Sequence, residues 1–286
     1  MILLDFSQIA LASIIVQKLT DENTIRMRIL NSIRMYNKRH RNEYGQMVIC
    51  VDARNTWRKE YFPQYKQHRK KNRAESDTDW TDLFRIIDLI REEIQTNLPY
   101  KVIHVDGAEG DDIIATLAMD NPDEKHMIIS SDKDFIQLQK YKNVKQFSPI
   151  QKKNVTDKDP TRYLLEHVLK GDAGDGIPNV LSPDNSFVDG IRQSPLTQKK
   201  IASWSGISDE LDLVAIEDKN VYRNFQRNRT LIDLECIPDV ISASIINTYN
   251  EQKIPHKMKV LNYLIQKRCK LLVECVDEFY NQPSAA

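Results

Sequence analysis

The chain has 286 residues, a formal net charge of zero, 41% apolar and 29% charged residues. That suffices for one large domain or two modest ones with a sizeable core, and a neutral balance means that polyanion binding has to be read from how charge is distributed. Cys50, Cys236, Cys269 and Cys275 show no C-x-x-C spacing, no apolar run reaches ~18 residues, and there is no basic leader with a cleavage site, which argues against zinc, disulfides, a membrane helix and secretion and predicts a cytoplasmic protein.

Ile2 to Leu4 is predicted as a short strand that ends at Asp5. Residues 7–16 read as a helix, and residues 24–41 as a longer one capped by Asn23 or Thr24. Its apolar positions Ile25, Ile29, Ile33 and Tyr36 fall near helical spacing. Between Arg26 and Arg41 it carries six Arg/Lys and no acid, either a solvated basic face or a phosphate contact. Met47 to Val51 is the second strand, and Asp52 ends it.

Ala53 to Arg73 then holds eight Arg/Lys against one acid, Glu60, with Trp57, Tyr61, Phe62 and Tyr65 interleaved. Basic groups with flat side chains suit a phosphate backbone and stacked bases. The plainer alternative is a charged loop whose aromatics enter the core. Glu75, Asp77, Asp79 and Asp82 lead into a helix over 80–96 and read as capping and solvation. Pro99 stops that helix, and Lys101 to Val105 is the third strand.

Gly107 to Asp112 is an acidic turn that feeds the helix starting at Ile113. Met127 to Ser130 has the composition of a buried strand and runs into Ser131-Asp132-Lys133-Asp134. Two acids at i and i+2 leave a strand on the same side, with Lys133 on the other. Val144 to Phe147 is a candidate fifth strand. A helix over 160–169 ends at Gly171-Asp172-Ala173-Gly174-Asp175-Gly176. This loop is no P-loop, because Lys-Ser/Thr is missing, and no dinucleotide loop, because a helix precedes it. Residues 181–195 read as loop. From Thr197 onward short helices are predicted, broken at Gly206, Pro238 and Pro255 and carrying scattered basic residues.

Strands alternating with helices predict an α/β fold, a mostly parallel central sheet flanked by helices with right-handed crossovers and followed by a helical C-terminal region. In such a sheet ligands bind at the C-terminal edge of the strands. That edge collects Asp5, Asp52, Glu109, Asp111, Asp112, Asp132 and Asp134, and Asp172 and Asp175 are expected to join from a neighbouring loop. Oxygen donors alone suit Mg²⁺ or Mn²⁺, and nine acids exceed the needs of one ion. Two ions ~3.5–4 Å apart activate water and stabilise a leaving oxygen in phosphodiester cleavage. The pattern reads as a metal-dependent nuclease.

These residues carry a resemblance. Leu3-Leu4-Asp5-Phe6-Ser7, Cys50-Val51-Asp52, Glu109-Gly110-Asp111-Asp112, Ser131-Asp132-Lys133-Asp134 and Gly171-Asp172-Ala173-Gly174-Asp175 resemble, in order and spacing, the structure-specific 5′ nucleases (flap endonucleases), and within them the T-even-type bacteriophage ribonuclease H branch, over nearly the full length. The resemblance implies a PIN-like/5′ nuclease fold and a 5′ to 3′ exonuclease and flap endonuclease. Its substrates would be RNA·DNA and DNA·DNA duplexes with 5′ ends, flaps or forks, and its task the removal of RNA primers from lagging-strand fragments in phage DNA replication.

By the family pattern Asp5, Asp52, Asp111 and Asp132 surround one Mg²⁺, and Asp134, Asp172 and Asp175 a second, with Mn²⁺ as a substitute. Glu109 and Asp112 bridge the ions or hold their water. Residues 54–80 match the family's arch, which passes single-stranded 5′ ends. There Tyr65, Lys66 and Arg69 match phosphate contacts, and Lys66 and Arg69 are assigned to charge stabilisation. Arg54, Arg58, Lys70, Lys71 and Arg73 are expected to hold nucleic acid, as are Arg192, Lys199 and Lys200 on the duplex. The implied division is a nuclease core over 1–180 and a duplex-binding helical region over 181–286. A monomer that works with a single-stranded-DNA-binding protein and a sliding clamp is the expected setting.

One departure concerns the Gly-x-Gly turn with which many relatives bind duplex phosphates through a monovalent cation. No such glycine pair occurs between Asn179 and Lys200. Two other readings are weaker. A non-catalytic nucleic-acid binder of this fold predicts losses among the acids, and none is lost. A PIN-like single-strand ribonuclease is usually much shorter.

Overall fold

Short apolar runs become the strands of one sheet. In the computed structural model, which describes residues 1–17, 19–204 and 219–280, these are β1 (Ile2–Asp5), β2 (Met47–Val51), β3 (Lys101–His104), β4 (His126–Ile129) and β5 (Val144–Ser148). The sheet order is β3-β2-β1-β4-β5-β6, with the first five parallel. The sixth, β6 (Lys153–Val155), pairs antiparallel with β5 at the edge. It lacks an apolar run, so nothing in the sequence announced it. Parallel strands covered on both faces read as continuous apolar stretches, which is why the other five were legible.

The pleat divides each strand between two cores. Ile2, Leu4, Met47, Ile49, Val102, Met127 and Ile129 face one side, while Leu3, Val48, Cys50, Ile103 and Ile128 face the other. The first face is covered by α1 (Phe6–Gln17), α2 (Glu22–Tyr44) and α5 (Trp80–Asn97). On the second lies α6 (Gly110–Asp120). Between β2 and α5 run two short helices, α3 (Trp57–Tyr61) and α4 (His68–Ala74), and α7 (Pro160–Lys170) follows β6.

Among the described residues the remaining α-helices are α8 (Gln198–Ser203), α9 (Lys219–Ile232), α10 (Asp239–Glu251), α11 (Met258–Gln266) and α12 (Lys270–Val273). They pack directly on the α/β part. Val260, Tyr263 and Leu264 of α11 complete the first core, and Ile245 of α10 joins the second. A third cluster unites Phe62 and Tyr65 with Val168, Trp204, Phe225 and Leu231. The expected break at Gly206 lies outside the described residues.

Two local expectations change. The cap of α2 is Asp21, whose Oδ2 accepts from the Thr24 N–H and hydroxyl, each at 2.7 Å; one acceptor satisfies two donors, which neither Asn23 nor Thr24 does. Several basic residues of α2 have structural partners. Arg26 is fully buried and pairs with Glu93 at 2.6 Å, which also meets Tyr263 and Lys267. Arg34 and Lys38 grip Glu278 near the end of the described chain. Arg28, Lys38 and Arg39 are exposed, as a solvated basic face expects, while Arg26 is not part of that face.

Candidate metal centre

Strand order reverses between β1 and β4, since β2 and β3 lie on one side and β5 and β6 on the other. Such a reversal leaves a crevice at the carboxyl ends of the two central strands. Asp5 sits at the end of β1, and its two oxygens accept from the Gln8 N–H (3.0 Å) and the Ser130 hydroxyl (2.8 Å). Ser130 Oγ also accepts from the Asp132 N–H at 3.1 Å, and Asp132 Oδ1 from the Asp134 N–H at 3.0 Å. One run after β4 thus fixes three carboxylates against each other.

Asp52, just past β2, accepts from the Gly110 N–H at 2.6 Å. Its charge lies at the N-terminus of α6, where exposed amides favour an anion. A glycine eases the approach, because a Cβ at residue 110 would stand 3.2 Å from Asp52 Oδ1, a tight contact. Asp111 enters the same space from the first turn of α6. The loop after α7 brings the last pair. Asp172 and Ile177 exchange backbone hydrogen bonds of 2.9 and 2.7 Å, and Asp172 Oδ1 accepts from the Gly174 and Asp175 amides. Gly171 makes the turn at φ 68°, with no room for a side chain, since its Cβ would be 2.3 Å from Ile177 O.

These elements enclose a cleft of about 1490 Å³. Asp5, Asp52, Glu109, Asp111, Asp132, Asp134, Asp172 and Asp175 all line it, as do Lys66 and Arg69. The carboxylates oppose one another. Burial first, then the charge of Asp52, pushes Asp5 up to about 7. Burial and Asp132 push Asp134 up to about 8. Asp111 and Asp132 are raised as well, chiefly by burial. Buried oxygens that resist ionisation together are a fit for divalent cations, whose charge removes the repulsion. The hard donor set suits the alkaline-earth class and Mn²⁺.

Glu109 behaves in the opposite way. Its burial would raise it, yet Lys66 and Arg58 hold it down to about 2. Lys66 Nζ is 2.7 Å from Glu109 Oε1, Arg58 Nη1 is 3.0 Å from Oε2, and the Tyr65 hydroxyl lies 2.9 Å from Oε2. Arg69 pairs with Asp175 at 2.5 Å. The two expected phosphate-facing cations therefore point into the cleft, each beside an acid at its rim.

Two site expectations are corrected. Asp112 does not reach the cleft. It is fully buried behind it, with Oδ1 in an ion pair 2.8 Å from Arg58 Nη2 and Oδ2 accepting from Arg58, Trp57 Nε1 and the Glu109 amide; its charge is met by Arg58 in the interior. Arg58 is 3% exposed and also donates to Leu231 O, so it braces the interior and meets no nucleic acid. Tyr65, 3% exposed, lines the cleft with its hydroxyl between Glu109 and Asp175, where it orients those acids. Trp57 and Phe62 are buried too, as the plainer alternative held. Of the aromatic series only Tyr61 is exposed, at 49%.

The other basic residues remain at the surface. Arg54 is exposed and pairs with Asp88. Lys70 and Lys71 are exposed on α4, and Arg73 lies over the rings of Trp80 and Phe84. Arg54, Lys70 and Arg73 line the cleft. Arg192 and Lys199 are exposed and distant in sequence from it, and Lys200 lies 5.0 Å over the Trp204 ring.

One residue of the site escaped the sequence reading. His167, on the inner face of α7, has Nδ1 3.3 Å from Asp134 Oδ1 and Nε2 3.6 Å from Asp172 Oδ2. Burial would lower it, but Asp172 and Asp134 outweigh that and raise it. The only sequence signal was its helical offset on the buried side of an amphipathic helix, which a core histidine shares.

Comparison with known proteins agrees with this geometry. Residues 2–165 match the family described as 5′-3′ exonuclease, N-terminal resolvase-like domain, and residues 159–279 match that described as T4 RNase H, C terminal. The chain is 34% identical to the ribonuclease H of Enterobacteria phage T4, across 97% of this chain and 95% of that protein. It is 32% identical to the flap endonuclease Xni of Shewanella sp. (strain MR-4), across 44% of this chain and 48% of that one. In three dimensions it superposes with a TM-score of 0.64 on a phage T5 protein co-crystallised with metal ions, at 14% identity and covering 96% of this chain and 98% of the other; at that identity the likeness is one of fold.

Proposed function

The chain belongs to the 5′-3′ exonuclease family, with a C-terminal part of the T4 ribonuclease H type, and on that premise we propose that it is a 5′ nuclease using two Mg²⁺ ions, replaceable by Mn²⁺, on RNA·DNA and DNA·DNA duplexes with 5′ ends, flaps or forks. It is a metal-dependent nuclease that works 5′ to 3′ and on flaps. Its role is the removal of RNA primers from lagging-strand fragments. The observation that supports this best is the convergence of eight carboxylates with Lys66 and Arg69 in one cleft at the sheet's switch point.

Asp5, Asp52, Asp111 and Asp132 hold the first cation. Asp134, Asp172 and Asp175 hold the second. When bound, such ions supply the charge that activates water and neutralises the leaving oxygen. Lys66 turns from Glu109, and Arg69 from Asp175, toward the phosphate whose charge grows in the reaction. Glu109 sets the position of Lys66 between turnovers. The neighbouring surface formed by Arg54, Lys70, Lys71 and Arg73 guides the single-stranded 5′ end, with residues 54–80 as an arch. The region 181–286, through Arg192, Lys199 and Lys200, receives the duplex. The protein acts as a monomer in the host-cell cytoplasm, beside a single-stranded-DNA-binding protein and a sliding clamp.

The test uses 5′-labelled flapped DNA and an RNA·DNA hybrid. With Mg²⁺ the wild type releases short products from the 5′ end, and Asp132→Asn releases none. Cleavage that persists in EDTA, or in the variant, sinks the reading.

A further inference from the structure

Oxygen donors alone do not describe the second half of the cleft. One ring nitrogen of His167 and one carboxylate oxygen each from Asp134 and Asp172 lie within 4.8 Å of one another. Ligands about 2.1 Å from one ion stand roughly 3 Å apart when adjacent and 4 Å when opposite, so the three atoms already span a first coordination sphere. The imidazole is 15% exposed, and its Nδ1 is shut off from solvent and makes no aligned hydrogen bond, although Asp134 Oδ1 is 3.3 Å away. A nitrogen next to an acceptor without a hydrogen bond to it is placed for a third atom between them.

The ring is held from outside. Tyr163, one turn earlier on α7, packs edge-on at 5.8 Å between ring centroids and 70°. A separate cavity of about 440 Å³, lined among others by Gln8, Lys133, Tyr163 and His167, opens behind it. His167 lines that cavity, which shares Gln8, Asp132, Asp134 and Asp172 with the acidic cleft. An aqueous ion has access to Asp134 and Asp172 from either side.

We propose that His167 is a nitrogen ligand of the second cation, beside Asp134 and Asp172, and that it makes this position selective for Mn²⁺ and similar transition metals over Mg²⁺. Imidazole suits the borderline first-row ions, whereas Mg²⁺ prefers oxygen and its own water. The ring coordinates in its neutral form and releases a proton to solvent. Magnesium meets only the carboxylates of this position and keeps more of its waters. The inference rests on the reading of the cleft as a two-cation site.

The test measures Mn²⁺ in the full-length protein by pulsed electron paramagnetic resonance and by titration calorimetry. The wild type is expected to show nitrogen-14 modulation from one imidazole, and His167→Asn none. Mn²⁺ affinity at the second position is expected to fall about 10-fold or more in His167→Asn, the range seen when histidine-bearing metal shells are disturbed, with Mg²⁺ affinity changed far less. Mn²⁺ bound by the wild type without nitrogen modulation overturns the role of His167 and leaves the cation site standing. Equal Mn²⁺ affinity in wild type and variant does the same, and reduces His167 to a counter-charge for the acids. A wild type that binds no Mn²⁺ removes the underlying site as well. The modulation is read on unmodified protein, so the outcome does not depend on how the variant folds.

Discussion

Lys66 Nζ stands 2.7 Å from Glu109 Oε1, on a residue whose backbone is itself left-handed at φ 56°. The unusual backbone is tied down by the Lys66 amide, which donates to Asp175 O at 2.7 Å. One residue thus fixes its main chain on one acid of the cleft and its side chain on another. Lys66→Met is expected to lower kcat by about 10²–10³, the loss typical of one removed charge-stabilising donor, with KM changed little. Single-turnover cleavage of a 5′ flap checks this, and a drop in KM alone contradicts it.

The crowded carboxylates carry a stability cost that a cation removes. Asp134 is raised to about 8 from an ordinary 3.8, so at neutral pH folding has to hold a charge, or a proton, that the unfolded chain handles freely. In EDTA at pH 7, Asp134→Asn is expected to be more stable than wild type by about 2 kcal/mol, a trade of stability against function. Adding Mn²⁺ raises the melting temperature of the wild type and raises that of the variant less. Urea unfolding with and without the ion measures both.

Acid sensitivity has a separate origin in His40. It lies between the rings of Tyr44 and Phe147, its Nε2 has no partner, and burial followed by the charge of Arg39 lowers it from 6.5 to about 4. The unfolded chain takes up this proton first as pH falls, so folding loses stability between pH 6.5 and 4. The loss reaches about 3 kcal/mol at most. In His40→Gln the pH dependence of unfolding is expected to flatten across that window, and a curve parallel to wild type excludes the assignment.

Arg58 and Asp112 are expected to behave as a buried pair. Arg58→Met strands Asp112 and costs about 3–5 kcal/mol, while Arg58→Met with Asp112→Leu recovers much of it. Because Arg58 meets no phosphate, the salt dependence of DNA binding stays as in wild type in whichever of these variants folds. A phosphate contact would lower the slope by about 0.9.

Gly171→Ala places a methyl group 2.3 Å from Ile177 O at a positive φ. The loop holding Asp172 and Asp175 has to shift. A loss of about 2 kcal/mol or more is expected, with cleavage falling further than stability accounts for. Melting temperature and turnover on one preparation separate the two effects.

What the sequence made legible follows from where its signals are local. Apolar runs closed by Asp5, Asp52 and Asp132 mark strand ends, and strand ends in a parallel sheet share one edge. Charge inside the protein has no such signal. Arg26 and Arg58 read as surface cations because nothing nearby in sequence names Glu93 or Asp112 as partners. Asp112 looked like its neighbour Asp111, although one helical position turns it from the cleft to the interior. His167 needed the fold to bring Asp134, 33 residues earlier, against it.

Arg58 has one more consequence. Its guanidinium touches Glu109, Asp112 and the carbonyl of Leu231, the last of which leaves the ribosome long after the other two. Until α9 has been made and has docked, that arginine lacks its last acceptor, and the floor under Glu109 and Lys66 is unfinished. The floor under Glu109 and Lys66 is thus completed by a carbonyl 173 residues further along the chain than Arg58, so the cleft is built jointly by the α/β part and the C-terminal helices.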